Sequence, residues 1–369
     1  MPNRDWSHLL DIPTFPAENY AVLADRLGAL MGTKNDVLLI QAEAVLALEA
    51  VATSLAHPGL KALNIVTSPY GTWFGNWLAK GGADVINLTA PAAQPITLEA
   101  VKAGLERHPD IHILSLVHAE SASGILNPLE EISALARERG ILTIVDTVAS
   151  VGGHALDVDS LGIDIAVIGP QKALAGTAGL SAISVSKKAW TLLQHDKAPR
   201  ISMLSLLDQK EQWLDLGRHA LPGTPAPLEF FALQAALDRV EAEGIGQVQK
   251  RHQLARQATR AGLLALGAQL WVPNPLSSAL VTTAVLPPDI DRQTFLSRRN
   301  IAGADITAGV GPGTERLVRL NHTGQRATEE AVLANLTAFS QALDANGHAN
   351  DLEKTLEIAT EIYRSAAPL

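Results

Sequence analysis

The chain has 369 residues, 47% of them hydrophobic and 18% charged, which supplies ample apolar surface for folded cores and excludes a disordered chain. A formal net charge of -9 without clustered Lys and Arg excludes a phosphate-tracking nucleic-acid surface, and the lack of cysteine excludes disulfides, thiolate nucleophiles and Cys-ligated zinc. No apolar run has the length of a bilayer span, and residues 1–16 lack the apolar centre of a signal peptide. The expectation is a cytoplasmic enzyme of two domains that acts on small molecules, with neither nucleic acid nor membrane as partner.

From Val37 onward, short apolar runs alternate with helical patterns. The runs are nearly continuous, as parallel strands covered on both faces require. Strands are predicted at 36–40, 64–67, 84–88, 111–117 and 141–145, and helices at 44–55, around Trp77, at 98–107 and at 129–139. Five such units predict an α/β fold with one doubly wound, mainly parallel sheet. After Trp190 the alternation fades into a Pro-rich stretch, 221–227, and then a single long helix from Leu228 through Leu254 or beyond. A smaller α+β domain should follow, with strands at 279–285, around Ile301 and at 317–320, and a helix at 329–344. The expected division is an arm at 1–15, a large cofactor-binding domain at 16–245, a small C-terminal domain at 246–348 and a helical tail at 349–369.

Ligands of open sheets gather beyond the carboxyl ends of the strands. Those ends carry 41–43, Tyr70, His118, Glu120, Ser121, Ser123, Asp146, Gln171 and Lys172. The most informative pair is IVD ending at Asp146 and IAVIGPQK ending at Lys172. A lysine past a strand, between Gln171 and a small-residue loop, is held out of open water, and such an amine has a lowered pKa and forms Schiff bases. A carboxylate at a neighbouring strand end suits a pyridinium nitrogen. The plainer alternative is a lysine reaching the surface and an aspartate capping its turn. His118 and His322 read equally well as loop histidines satisfied by backbone, and no pair of histidines has metal-site spacing, so no metal is expected.

The segments VDTVASVGG (145–153), GIDIAVIGPQKAL (162–174), VHAESASGILNPLEEI (117–132) and GLSAISVSKKAW (179–190) resemble the class V aminotransferases of pyridoxal-enzyme fold type I, and the likeness runs from about 16 to 345. That resemblance implies an aldimine on Lys172, Asp146 against the ring nitrogen, Tyr70 stacked on the ring and Ser123 at the ring 3-oxygen. It implies Arg319 as the bidentate clamp on the substrate carboxylate. Thr224 falls where relatives reach the phosphate from a neighbouring subunit, which implies a homodimer or homotetramer.

The turn at 41–44 departs from phosphate-using relatives, which place Gly, Ser or Thr there so that backbone N–H groups cradle the phosphate. Here the sequence is Gln41, Ala42, Glu43, Ala44. A carboxylate at Glu43 disfavours a phosphate and accepts a hydrogen bond from a free 5'-hydroxyl; alternatively it only complements the helix dipole. AEAVLALEA (42–50), SPYGTWFGNW (68–77) and PRISMLSLLD (199–208) resemble the branch of the family that transaminates pyridoxamine with pyruvate. The resemblance implies that pyridoxal or pyridoxamine is a bound substrate in vitamin B6 breakdown, with Glu43 and Ala44 lining the phosphate region. The other reading is a conventional alanine, serine or aspartate aminotransferase that uses pyridoxal phosphate with glyoxylate or pyruvate. The branch carries a second arginine where this chain has Val310, and Arg316 is the nearby cation that can swing in.

Overall fold

The computed structural model describes residues 6–298, 301–311 and 313–366, so the ends of the expected arm (1–5) and tail (367–369) lie outside the described residues. Seven strands form the large sheet: β1 (Asp36–Ile40), β2 (Lys61–Val66), β3 (Asp84–Thr89), β4 (Ile113–Val117), β5 (Leu142–Asp146), β6 (Ile165–Ile168) and β7 (Ser181–Val185). Their order is β1-β7-β6-β5-β4-β2-β3, with β7 antiparallel to both neighbours and the other pairs parallel. Every residue of β4, β6 and β7 is buried, because helices cover both faces of the sheet. The doubly wound, mainly parallel architecture expected from the alternation is therefore present.

Among the elements of this unit not read from the sequence are β7 and a helix before β1. β7 hides its strand character behind Ser181, Ala182 and Ser184, small residues that interrupt an apolar run although all are buried. The helix Glu18–Met31 precedes the first strand and buries Leu23, Leu27 and Met31 at helical spacing beside β1. The long helix expected from Leu228 is two helices, Pro227–Glu243 and Ile245–Ala265. Gly244 breaks it with a φ of 82°, a left-handed conformation that ends the helical hydrogen-bond ladder.

The smaller unit is an antiparallel sheet of β8 (Gln269–Leu270), β9 (Val281–Val285), β10 (Ile306–Ala308) and β11 (Leu317–Asn321), in the order β10-β11-β9-β8. The strand expected around Ile301 forms instead at β10, because Ile301 leads into a turn at Gly303, whose φ is 84°. A second apolar core packs Phe295 edge-on to Phe339 at 5.1 Å, with Val318, Leu320 and Leu336 around them. The tail helix, Leu352–Ala366, covers this core from the far side by packing on Ile245–Ala265 and Glu329–Asp344. Among the described residues, no helix is long and apolar enough to cross a membrane.

The two units meet through small side chains. Ala119, Ala149 and Ala173, from the loops after β4, β5 and β6, pack on Ala279 and Leu280 at the entry to β9. Gly153 sits so close beneath Leu280 that a Cβ there would fall 2.1 Å from the leucine Cδ1. Small residues at the junction let the loop that follows Asp146 and the loop that carries Lys172 lie directly against the second sheet.

A buried amide fixes the element that presents Tyr70. Asn64, in β2, donates from Nδ2 to the Gly71 carbonyl at 2.9 Å and to Asn87 Oδ1 at 2.7 Å, and its Oδ1 accepts from Ser115 Oγ at 2.8 Å. It ties the helix Pro69–Lys80 to β2, β3 and β4, and Gly71 and Gly75 allow the close approach, since a Cβ on either would come within 3 Å of β2. Asn64→Leu strands two buried polar partners, the Gly71 carbonyl and the Ser115 hydroxyl, and removes the tie to the exposed Asn87. It is expected to lower stability by about 3 kcal/mol, read as a shift of the chemical denaturation midpoint.

Candidate active site

The carboxyl ends of β1, β2, β4, β5 and β6 converge on one cavity, lined by Glu43, Ala44, Tyr70, Ser121, Asp146 and Lys172 among its walls. Each polar residue comes from a different strand end or the turn beyond it. Asp146 is the last residue of β5, and Lys172 lies in the loop after β6. Tyr70 occupies the first turn of the helix Pro69–Lys80, whose cap Ser68 accepts the Tyr70 N–H at 3.2 Å.

Asp146 is 9% exposed, and its Oδ1 accepts the Val148 N–H at 2.9 Å. Burial pushes its carboxyl up to about 6, against the opposing pull of the Val148 N–H and the Lys172 charge. The Lys172 amine is pushed down, first by burial and then by the Arg319 charge, while Asp146 and Glu43 act in the other direction. A lysine depressed in this way has more of the free amine that attacks an aldehyde. Tyr70 is raised by burial, its hydroxyl is hydrogen-bonded to Ser121, and Trp73 meets its ring edge-on at 5.4 Å.

Glu43 is the N-cap of the helix Ala44–Leu55: its Oε2 accepts the Val45 N–H at 2.8 Å. Its Oε1 accepts from Gln171 Nε2 at 2.9 Å, a contact that fixes the orientation of that amide. The buried Gln171 Oε1 is left without a hydrogen-bond partner among the described residues. The Glu43 carboxylate lines this end of the cavity, whereas Gln171 lies behind it and is not among the walls, and the carboxylate takes an N–H that a phosphate would use. The dipole reading and the site reading of Glu43 therefore describe the same contact.

Arg319, on β11, reaches across from the smaller sheet. Its Nε donates to the Ala308 carbonyl at 3.0 Å and its Nη1 to the Ser121 carbonyl at 2.9 Å. These bonds fix the guanidinium plane beside the cavity loop. Arg316 does not join it, because its Nε donates to the Leu286 carbonyl at 3.0 Å beside β9. Val310 lies half-exposed on the loop between β10 and β11.

Ser123 and Thr224 do not line the cavity. The Ser123 hydroxyl accepts the Ile125 N–H at 3.4 Å, and its carbonyl accepts from Thr283 Oγ1 at 2.6 Å, so the residue serves the junction with β9. Ser121 takes the cavity position. The two serines stand two apart in one loop, and no spacing rule distinguishes them. Thr224 is exposed, on a segment that Gln41 brackets by bonding the Pro222 carbonyl at 3.3 Å and the Ala226 N–H at 3.0 Å.

Glu120, His118 and His322 are buried and are not among the walls of this cavity. Glu120 is fully buried and raised by that burial to about 7; it accepts from Thr67, beside the turn that presents Tyr70. His118 is held down at about 4 by burial, and His322 is sealed against Thr282 Oγ1 at 2.9 Å. Among the described residues, no cluster of three His, Asp or Glu side chains is placed to hold a metal ion.

A nucleophilic amine, a buried carboxyl lacking a fixed cationic partner of its own, and an aromatic ring on one cavity define a site fitted to an aldehyde carried on a flat, basic ring. Comparison with known proteins agrees. The class V aminotransferase family model matches residues 23–311, and the chain belongs to that family. It is similar to the pyridoxamine–pyruvate transaminase of Mesorhizobium japonicum, with 33% identity over 94% of this chain and 89% of the relative. The crystal structure of pyridoxamine–pyruvate aminotransferase from Mesorhizobium loti superposes with a TM-score of 0.89 at 32% identity, covering 95% of this chain and 90% of that one. Alanine–glyoxylate aminotransferase of Callithrix jacchus is 31% identical over 84% of this chain and 76% of its own length. The fold is therefore that of the fold type I aminotransferases, and the chain is an aminotransferase whose family works with pyridoxal phosphate.

The raised Asp146 carboxyl has a consequence for the protein stripped of vitamer. Between about 4 and 6 the folded state keeps a proton that the unfolded chain has lost, so this group's contribution to stability falls as pH rises through that window. The loss amounts to roughly 3 kcal/mol and is complete above it. Asp146→Asn keeps the acceptor for Val148 and removes the titration. The variant is expected to gain that much on wild type between pH 4 and pH 7, measured by denaturant unfolding at each pH.

Proposed function

We propose that this aminotransferase transfers the amino group of pyridoxamine to pyruvate, giving pyridoxal and L-alanine, with the unphosphorylated vitamer held at Lys172 as a substrate. The observation that carries the reading is the Glu43 carboxylate at the N-terminus of the helix Ala44–Leu55, braced by Gln171. A phosphate placed there would meet repulsion of about 4 kcal/mol per unit charge at ~4 Å and intermediate dielectric. A 5'-hydroxyl donates to the same acceptors. The likeness to relatives named for pyridoxamine and pyruvate supports the assignment.

Bound pyridoxal supplies an electron-withdrawing ring that stabilises negative charge on the carbon losing its proton. In this reading Lys172 would hold the aldehyde and, when freed by the incoming amine, would carry the proton between the two carbons on either side of the transferring nitrogen. Asp146 keeps a proton on the ring nitrogen, and Tyr70 stacks on the ring and excludes water from one face. Arg319 turns the substrate carboxylate so that the breaking C–H bond stands perpendicular to the ring. Val310 supplies no charge, which leaves the Arg319 fork as the principal cation for the acid. The exposed Thr224, with exposed Ile201 and Met203, supports assembly as a homodimer or homotetramer in which a second copy covers this face. The second reading, a conventional alanine–glyoxylate type of transaminase using pyridoxal phosphate, draws on the relatives that carry that name.

Spectral titration with pyridoxal and with pyridoxal phosphate separates the two. Wild type is expected to attach pyridoxal in a borohydride-reducible bond that Lys172→Ala abolishes, and to bind the phosphorylated form more weakly. Glu43→Gln should narrow that preference by at least about tenfold. Tighter binding of the phosphate by wild type would overturn the vitamer assignment and leave the aminotransferase standing.

A further inference from the structure

β11 carries Arg319 and runs directly into a turn at 322–326 whose centre is Gly324, with a φ of 61°. Two successive residues of the helix Ile245–Ala265 grip that glycine. His252 accepts the Gly324 N–H on Nε2 at 3.0 Å, while its Nδ1 is bonded to the Val248 carbonyl at 2.7 Å. A carbonyl only accepts, so the proton sits on Nδ1, and both ring nitrogens of this fully buried, neutral histidine are used. Arg251 donates from Nη1 to the Gly324 carbonyl, and its own Nε is held by Glu243 Oε1 at 2.7 Å.

The other side of Gly324 presses on the lysine loop. A Cβ at Gly324 would lie 2.8 Å from the Lys172 carbonyl oxygen and 3.0 Å from the Ala175 Cβ. That loop cannot yield easily. Ala175 holds a φ of 56°, donates its N–H to the Lys172 carbonyl at 3.0 Å and has its own carbonyl bonded by Arg239 Nη2 at 2.7 Å. The turn that follows the Arg319 strand thus leaves no room for a side chain at Gly324 against the loop that bears Lys172.

We infer that the Gly324 turn, clamped by Arg251 and His252, is a positioning element that sets the distance between the Arg319 guanidinium and the Lys172 amine. None of its atoms touches the reacting groups. Its effect comes through the two residues it spaces. The inference rests on the reading in which Arg319 holds the substrate carboxylate and Lys172 moves the proton, since an amine displaced by about 1 Å from its carbon loses up to a hundredfold in rate. Binding of the acid depends on contacts the turn does not make, the bonds from Arg319 to Ala308 and Ser121.

The test uses the full chain with Gly324→Ala, Arg251→Met and Arg251→Lys, measuring kcat and KM for pyruvate and the rate at which pyridoxal becomes borohydride-trapped on Lys172. Gly324→Ala should lower kcat by roughly ten- to a hundredfold and slow trapping, with KM for pyruvate within about threefold of wild type. Arg251→Met should lower kcat several-fold with an unchanged circular dichroism spectrum, and Arg251→Lys, which restores a donor to the Gly324 carbonyl, should recover most of it. A merely structural turn would lower the melting temperature and leave kcat per folded molecule alone. Wild-type kcat in folded Gly324→Ala, or Arg251→Lys no better than Arg251→Met, would overturn the inference. If Gly324→Ala does not fold, the Arg251 pair decides. Failure of wild type itself to trap pyridoxal at Lys172 would sink the site reading and this inference together, whereas normal trapping together with wild-type kcat in all variants would sink this inference alone.

Discussion

Asp146 and Lys172 are taken out of water at adjoining strand ends, and most of the architecture serves to keep them there. Neither charge is comfortable alone: burial pushes the carboxyl up and the amine down, so each charge is held at a cost that open water would not impose. In the proposed reading a flat, basic aldehyde resolves both penalties together, because it consumes the amine and offers the carboxylate a cationic nitrogen. The site is therefore held in a condition that ligand binding relieves. The sheet tolerates the cost because β4, β6 and β7 are buried throughout and hold the strand ends rigid.

The opposite end of the cavity follows a different rule. Glu43 satisfies its own helix, so the charge it brings is already compensated by an N–H and by Gln171 before any ligand arrives. A helix N-terminus that would otherwise attract anions is closed by an internal one. In the proposed reading, selectivity at this end comes from what has been filled, and selectivity at the Lys172 end from what has been left wanting.

Much of this was legible in the sequence, because strand-end polar residues in a parallel sheet stand out against continuous apolar runs. Lys172, Asp146, Tyr70 and Glu43 are such residues, and the structure gathers all four on one cavity. What escaped has identifiable causes. β7 is built from residues too small to register as an apolar run, and the break at Gly244 depends on a backbone angle that periodicity does not encode. Ser121 and Ser123 share a loop and a residue type, and the bonds that distinguish them, from Thr283 to the Ser123 carbonyl and from Arg319 to the Ser121 carbonyl, come from distant strands. The reach of Arg316 to the Leu286 carbonyl is likewise a three-dimensional fact with no local signature.

The antiparallel β7 has one further effect. It returns the chain from the Lys172 loop across the sheet and, lying between β6 and β1, holds those two parallel strands apart while keeping their carboxyl ends on the same edge. Neighbouring strands stand ~4.8 Å apart, so β5 and β6 are one spacing from each other and β1 is about 10 Å from β6. The sheet is thus graduated like a ruler, with Asp146, Lys172 and Glu43 anchored at unequal marks along it. A molecule spanning them is measured along its length, and the strand inserted late in the chain sets the longer interval.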